Sequence, residues 1–167
     1  MYEYAPKTDK RAERLIFLAL LAFAAINYVS SMLPFTPFPA LFQLVAFVSL
    51  AVAIIVIGKY MLCRYVYSVE INEASPDGEM DFVITECIRQ RRKVVCRIER
   101  SAVVSVTYVT GENRKALASK HKGKPVFRHT GELFPKNCAL LEIEQNETQY
   151  YIYILCDEGL ENAILNR

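Results

Sequence analysis

The feature that most constrains this chain is a long stretch without charge. No Asp, Glu, Lys, Arg or His occurs between Arg14 and Lys59, so the 44 residues 15–58 are uncharged. Charged residues make up 23% of the chain and are crowded into the remainder. Such segregation excludes a single soluble globule, a disordered chain and a secreted disulfide scaffold.

The length of the uncharged stretch predicts two membrane-spanning helices. One helix needs about 20 residues to cross the hydrocarbon core, and this stretch is twice as long. Pro34, Pro37 and Pro39 divide it, and proline ends one helix and delays the next. We therefore predict a transmembrane helical hairpin over residues 15–62, with spans 15–33 and 38–62 and an outer loop 34–37.

The flanking charges predict the orientation of this hairpin. The connecting loop has no basic residue, whereas basic residues precede the first span and follow the second: Lys7, Lys10, Arg11, Arg14, Lys59 and Arg64. The positive-inside rule then makes residues 1–14 a cytoplasmic basic segment of a multi-pass inner (plasma) membrane protein with both termini cytoplasmic. A cleaved signal peptide, suggested by Ala22-Phe23-Ala24, is disfavoured because a 19-residue apolar run exceeds the usual core of about 7–15 residues.

Two amides interrupt the apolar spans. Asn27 and Gln43 stand nine and seven residues from Thr36, the middle of the turn, so an antiparallel hairpin places them at comparable depth. A polar substrate path would require ionisable groups, and the spans contain none. We predict an interhelical polar pair worth on the order of 1 kcal/mol, helped by small residues on both helices: Ala19, Ala22, Ala25, Ala46, Ser49 and Ala53.

Residues 64–167 follow as a predicted cytoplasmic domain. Residues of one face recur at every second position in segments 64–71, 80–88, 94–98 and 104–108, a further short strand is predicted near 125–128, and 138–144 with 149–156 form a predicted hairpin around Gln145-Asn146-Glu147. The final segment begins with Asp157, a good N-cap, and has an apolar stripe typical of an amphipathic helix. We predict an α+β or mainly-β domain of six or seven antiparallel strands capped by a C-terminal helix.

This element order resembles the pleckstrin-homology-like (PH-like) barrel. The whole chain is similar to small bacterial membrane proteins in which a two-helix hairpin precedes a PH-like domain. The features that support the resemblance are the uncharged block, the strand that follows it at once, the segment Phe82-Val83-Ile84 with the basic residues after it, and the late hairpin leading into the helix. The resemblance implies a membrane-associated binding or scaffold module, and it transfers no functional residues.

Twelve of the 20 Lys and Arg residues fall in two clusters, 89–100 and 114–128. If the first predicted strand of the domain, 64–71, runs away from the bilayer, the second, 80–88, runs towards it, and the turn that begins at residue 89 lies near the lipid. The fourth predicted strand, 104–108, also runs towards the bilayer, so the loop after residue 110 lies near the lipid as well. The acidic turn with Glu73, Asp77 and Glu79 is then distal. We predict a lipid-facing basic surface, attracted to anionic headgroups: Arg89, Arg91, Arg92, Lys93, Arg114, Lys115, Lys120, Lys122 and Lys124. The alternative is a generic solvated surface.

Residues typical of catalysis or metal binding do not form a known motif. The five cysteines face a reducing compartment, which disfavours disulfides. His121 and His129 with Cys138 lack zinc-site spacing. We find no phosphate loop and no nucleophile or metalloprotease signature. Nothing suggests nucleic-acid binding either, and the net charge is only +2. We expect no catalytic residue, no metal and no cofactor.

The sequence thus predicts a non-enzymatic, membrane-anchored binding or scaffold module. Its domain would contact anionic inner-leaflet lipid or a protein partner, which includes a second copy of the chain in a homo-oligomer. The alternative is an accessory subunit of a membrane transporter or enzyme complex. A membrane-bound enzyme is disfavoured because no convergent polar constellation is visible.

Overall fold

A computed structural model describes residues 2–72, 75, 78–145 and 148–165. The chain forms two compact units. One unit comprises Thr8–Cys63 together with the short segment Gly131–Phe134, and the other comprises Met1–Lys7 with Arg64–Thr130 and Pro135–Arg167. A segment from before the uncharged block therefore belongs to the same unit as the sheet-rich remainder.

The first unit is built from two long helices. Helix α1 spans Arg11–Ser31 and helix α2 spans Pro39–Val56, followed by a π-helical turn at Ile57–Met61. Both helices are long and apolar enough to cross a membrane. Helix α1 begins four residues earlier than the predicted span at residue 15, because a charged first turn with Glu13 is also helical. This confirms the two apolar helices expected from the uncharged block.

The contact between α1 and α2 is a seam of small side chains. On α2 the buried residues Ala46, Ser49 and Ala53 recur at intervals of three and four, and Val56 continues the series. In the apolar part of α1 the buried positions are Ala24 and Ser31, seven residues apart. Spacings that alternate between three and four residues keep one face of each helix towards its partner, and small residues allow close approach. Large apolar side chains such as those of Leu15, Phe47 and Ile54 point outward.

The predicted small-residue contact is confirmed for α2 and wrong for α1. Ala46, Ser49 and Ala53 are all buried, whereas Ala19, Ala22 and Ala25 are exposed and Ala24 is buried in their place. The physical reason is angular position, because consecutive residues lie about 100° apart around the axis of a helix. The face that contains Ala24 therefore turns Ala25 away from α2.

The connection between the helices is tight. Phe38 adopts a left-handed conformation with φ of 59°, and Pro39 then occupies the first turn of α2, where a missing N–H costs nothing. At the end of α1, the Thr36 hydroxyl donates to the Ser30 carbonyl oxygen at 2.5 Å. This bond adds a second donor to a carbonyl at the helix end, which also accepts the Leu33 N–H at 3.2 Å.

Sheet A contains four strands in the order β1-β2-β3-β4. They are β1 (Tyr2–Tyr4), β2 (Cys63–Ile71), β3 (Met80–Ile88) and β4 (Arg91–Glu99). Strand β1 lies antiparallel to β2, with Tyr2 opposite Val69 and Tyr4 opposite Tyr67. The segment before α1 and the segment after α2 are thus hydrogen-bonded neighbours.

Sheet B contains four strands in the order β5-β7-β8-β6. They are β5 (Val103–Tyr108), β6 (Val126–Arg128), β7 (Cys138–Gln145) and β8 (Thr148–Leu155). A 3₁₀ turn at Arg100–Ala102 precedes β5, and helix α3 (Arg114–Lys120) lies between β5 and β6. Strand β6 is parallel to β8, and the other pairs of this sheet are antiparallel.

The inner faces of both sheets form one apolar core. Alternate residues of β2, β3, β7 and β8 are fully buried, as period-two patterning requires: Tyr67, Phe82, Ile84, Ala139, Leu141, Ile143, Ile152 and Ile154. Helix α4 (Glu158–Leu165) closes the core with Leu160 and Ile164. Asp157 Oδ1 accepts a hydrogen bond from the Leu160 N–H at 2.8 Å, as its predicted role of N-cap requires.

The expected sheet-rich domain with a C-terminal helix is therefore confirmed. Seven of the described strands follow the helices, and an eighth, β1, precedes them. Among the described strands the pairing gives two separate sheets of four and no closed barrel. One strand pair, β6 with β8, is parallel rather than antiparallel, because the segment that contains α3 returns the chain so that β6 runs in the same direction as β5.

Candidate lipid-facing surface

The first predicted basic cluster lies on the tight turn between β3 and β4. Ile88 pairs with Arg91, so Arg89 and Gln90 form the whole turn. Arg89 has a φ of 55°, a left-handed conformation that costs a non-glycine residue on the order of 1 kcal/mol. Arg89, Arg91, Arg92 and Lys93 are all exposed, and none forms an ion pair with a described residue.

This turn lies at the end of sheet A where β2 begins. The Tyr65 hydroxyl near the start of β2 donates to Glu86 near the end of β3, at 3.4 Å. The opposite end of the sheet is marked by the bond from the Asn72 N–H to the Glu79 carbonyl oxygen, at 2.7 Å. Glu79 is thus far from the basic turn within sheet A. Glu73 and Asp77, the other predicted acidic residues of that far turn, lie outside the described residues.

The second predicted cluster is divided by the structure. Arg114 and Lys115 begin α3 and are exposed. The side chain of Asn113 holds this helix start near the end of β5, because its amide donates to the Tyr108 carbonyl oxygen at 2.8 Å. Burial raises the pKa of the Cys138 thiol to about 11, and the positive charges of Arg128 and Arg114 act on it in the opposite direction.

Lys120 and Lys124 have partners within the protein. Lys120 Nζ lies 2.5 Å from Glu142 Oε2, and Lys124 donates to Gln149 and lies over the Tyr151 ring. Gln149 is near the start of β8, at the opposite end of that strand from Leu155. The structure therefore does not bring these two lysines together with Arg114. Lys122 lies between them in an exposed turn.

Glu142 is the reason for that separation. It lies on the outer face of sheet B and is buried, and it accepts hydrogen bonds from Lys120, Ser105, Gln149 and Tyr151. The bond from Lys120 holds the pKa of this carboxyl below its ordinary value, although burial acts in the opposite direction. A buried carboxylate with several donors orders the side chains around it, so Lys120 serves structure here.

Arg128 is a basic residue that the predicted surface omitted. Its guanidinium lies 5.3 Å from the centre of the Tyr153 ring, and it is exposed at the end of β6. The parallel pairing of β6 with β8 carries Arg128 to the end of sheet B where Leu155 lies. The sequence signal was present, because Arg128 belongs to the second cluster, but only the direction of β6 shows where it lies.

The structure does not bring the predicted pair of amides together. Asn27 donates to the Phe23 carbonyl oxygen of its own helix at 2.8 Å, and Gln43 is exposed on the outer face of α2. The position of the turn indicates equal depth, but pairing also requires both residues on the facing sides of their helices.

The histidines and cysteines take part in packing. The five cysteines, all of which lie in the described ranges, form no disulfide with one another. His121 Nε2 lies 2.9 Å from the Tyr153 hydroxyl, and His129 packs against the Tyr65 ring with a pKa lowered by burial. Across the described ranges, no group of three or more His, Cys, Asp or Glu side chains is arranged to hold a metal ion.

The geometry therefore places exposed basic side chains at one end of each sheet. Exposed Arg89, Arg91 and Arg92 lie at one end of sheet A, and Arg114 and Arg128 lie around Cys138 at one end of sheet B. The Tyr67 hydroxyl contacts His129 next to Arg128, which connects the two sheets there. No family model matches this sequence, and no curated protein or solved structure matches it.

Proposed function

We propose that this chain is a non-enzymatic membrane-anchored binding module. The two apolar helices form a hairpin in the inner membrane with both ends cytoplasmic, and the sheet-rich unit contacts anionic lipid headgroups through a basic surface. This surface, which we call the basic end, comprises Arg89, Arg91, Arg92, Lys93, Arg114, Lys115 and Arg128.

The observation that carries the proposal is the position of the β3–β4 turn. Its exposed arginines lie at the end of sheet A where β2 begins, and the apolar unit ends at Cys63, the first residue of β2. Each Lys or Arg near an anionic surface contributes about 1 kcal/mol to membrane attraction. The lack of ion pairs on Arg89 and Arg92 among the described residues leaves their charge for an external anion.

A PH-like fold for the sheet-rich unit is part of this proposal. Two four-stranded sheets enclosing one core, with a C-terminal helix closing it, support it. The resemblance of the sequence to small bacterial membrane proteins implies that the module is a membrane-bound scaffold. The exposed basic end supports binding as the activity of that scaffold.

The test requires the sheet-rich unit without its anchor. Because β1 belongs to this unit, residues 64–167 alone would lack an edge strand. A short glycine-serine linker from Lys7 to Arg64 replaces the helices, since Tyr4 and Tyr67 are already paired. We call this protein the hairpin-less variant. We expect it to float with anionic vesicles at low salt and to be released as salt screens the charges.

Matched variants locate the contact. Arg89→Ser with Arg114→Ser removes two charges from the basic end, and we expect vesicle partitioning to fall by about 10- to 30-fold at about 1 kcal/mol each. Arg100→Ser with Lys124→Ser removes the same charge elsewhere and should change partitioning little, because Lys124 donates to Gln149 near the start of β8, at the opposite end of that strand from Leu155. Arg100 is suitable because it contacts Met80, at the other end of sheet A. Equal loss from both double variants, or equal binding to neutral vesicles, would overturn the proposal.

A further inference from the structure

The segment Gly131–Phe134 begins 100 residues after Ser31, the last residue of α1, but packs in the same unit as the two apolar helices. A hydrogen bond attaches it: the Leu133 N–H donates to Glu13 Oε1 at 2.9 Å. Glu13 lies in the first turn of α1 and is only 2% exposed. A buried carboxylate in the first turn of a long apolar helix therefore holds a loop from the far part of the chain.

This loop is apolar at its tip. Gly131 has a φ of 63° and is buried, so a glycine makes the bend possible. Leu133 and Phe134 follow, and 67% of the Phe134 surface is exposed. Phe134 is followed by a proline and then Lys136. An exposed aromatic close to a basic residue is typical of segments at the membrane–water boundary.

The position of Glu13 sets the depth of the loop. Glu13 is two residues before Leu15, where the uncharged stretch begins, which corresponds to about 3 Å along a helix axis. Leu133 is hydrogen-bonded to Glu13, and Phe134 is the next residue, with its Cα about 3.8 Å farther along the chain. If α1 crosses the bilayer, Phe134 lies at the boundary between headgroups and hydrocarbon.

We infer that the loop Gly131–Phe134 is a second membrane contact, with Phe134 inserted into the interfacial layer of the bilayer and Glu13 as the positioning residue. This rests on the proposed membrane hairpin. It differs from the basic end in chemistry, because the ligand is the apolar boundary of any lipid leaflet rather than an anionic headgroup. The sheet-rich unit would then be attached to the bilayer by a loop as well as by the two chain connections.

The chain has no tryptophan, which allows a direct test with single tryptophans in the full-length protein. Phe134→Trp, reconstituted in vesicles of brominated phosphatidylcholine, should show blue-shifted emission quenched most strongly by bromines near the headgroups. Ile71→Trp is the matched control, because Ile71 is 57% exposed in the other unit, at the end of β2 that lies far from the basic end; we expect little quenching there.

A third tryptophan separates this inference from the proposed function. Phe47 lies near the middle of α2 and is 62% exposed, so Phe47→Trp should be quenched by deep bromines. If Phe47→Trp is quenched and Phe134→Trp behaves as Ile71→Trp does, the loop inference is wrong and the hairpin stands. If Phe47→Trp is unquenched, the hairpin is wrong and the inference fails with it.

The role of Glu13 has its own matched pair of variants in the Phe134→Trp background. Glu13→Gln retains a side-chain oxygen that can accept the Leu133 N–H, whereas Glu13→Leu keeps the size and removes the acceptor. We expect shallow quenching to persist in the first and to fall at least severalfold in the second. Persistence of shallow quenching in Glu13→Leu would overturn the positioning role of Glu13.

Discussion

At the scale of single residues, Tyr67 joins the two sheets. Its ring is fully buried in the core, and its hydroxyl donates to the His129 carbonyl oxygen at 2.6 Å and accepts from the Leu155 N–H at 3.1 Å. Burial raises the pKa of Tyr67 far above its ordinary value, so the hydroxyl keeps its proton. One side chain of sheet A thus satisfies two backbone groups at the end of sheet B.

Tyr67→Phe should destabilise the sheet-rich unit by about 1–3 kcal/mol, because the Leu155 N–H and the His129 carbonyl lose this partner without gaining water. Urea unfolding of the hairpin-less variant measures this change. Tyr150→Phe is the control, since the Tyr150 hydroxyl bonds to the partly buried Gln145 side chain at 3.2 Å, and we expect well under 1 kcal/mol for a bond of this kind. Equal stability of both variants would contradict a connecting role for Tyr67.

At the scale of elements, β1 is the feature with the largest consequence for the fold. Three residues, Tyr2–Tyr4, extend sheet A by one strand. The Tyr4 ring stacks on Tyr67 with centroids 6.3 Å apart. Tyr2 approaches α4 closely, because a Cβ at Gly159 would lie 2.5 Å from the Tyr2 hydroxyl oxygen. Strand β1 therefore contacts both a strand and a helix of the sheet-rich unit.

Deleting residues 1–5 should expose the edge of β2. Amide hydrogen exchange in the full-length protein in micelles is the measurement, and we expect protection to fall at residues 67–69, which face β1. Amides of β7 lie between β5 and β8 and should keep their protection. Unchanged exchange at residues 67–69 would mean that β1 does not pair in solution.

The sequence predicted those elements whose signal is local and long. The uncharged block indicates two helices because 44 residues without charge have few other folds, and period-two segments such as 80–88 are typical of strands. Strand β1 was missed because three residues are too short for a period. The sequence did not show that the second basic cluster is divided, with Lys120 separated from Arg114. The reason is that Lys120 is paired with Glu142, a residue distant in sequence whose burial depends on sheet pairing.

At the scale of the whole molecule, the pairing of β1 with β2 constrains the topology of any membrane arrangement. Strand β1 precedes α1, and β2 follows α2, but the two strands are hydrogen-bonded to each other. Backbone pairing cannot form across a bilayer. If the two helices span the bilayer, the chain between β1 and β2 must therefore cross it an even number of times, and this conclusion does not depend on the flanking charges. The strand pairing and the positive-inside rule are independent, and both favour two chain ends on one side.

Cysteine labelling tests this topology. In a variant whose five native cysteines are replaced, Phe35→Cys places a thiol in the loop between the helices, where Phe35 is almost fully exposed. An impermeant maleimide should label it in intact cells. Lys7→Cys and Lys122→Cys should behave alike, because residues 7 and 122 belong to the same unit. Since we propose that this unit is cytoplasmic, both should react only after permeabilisation. Labelling of Lys7→Cys and Lys122→Cys from opposite sides would be incompatible with β1–β2 pairing, and labelling of Phe35→Cys only after permeabilisation would reverse the proposed orientation.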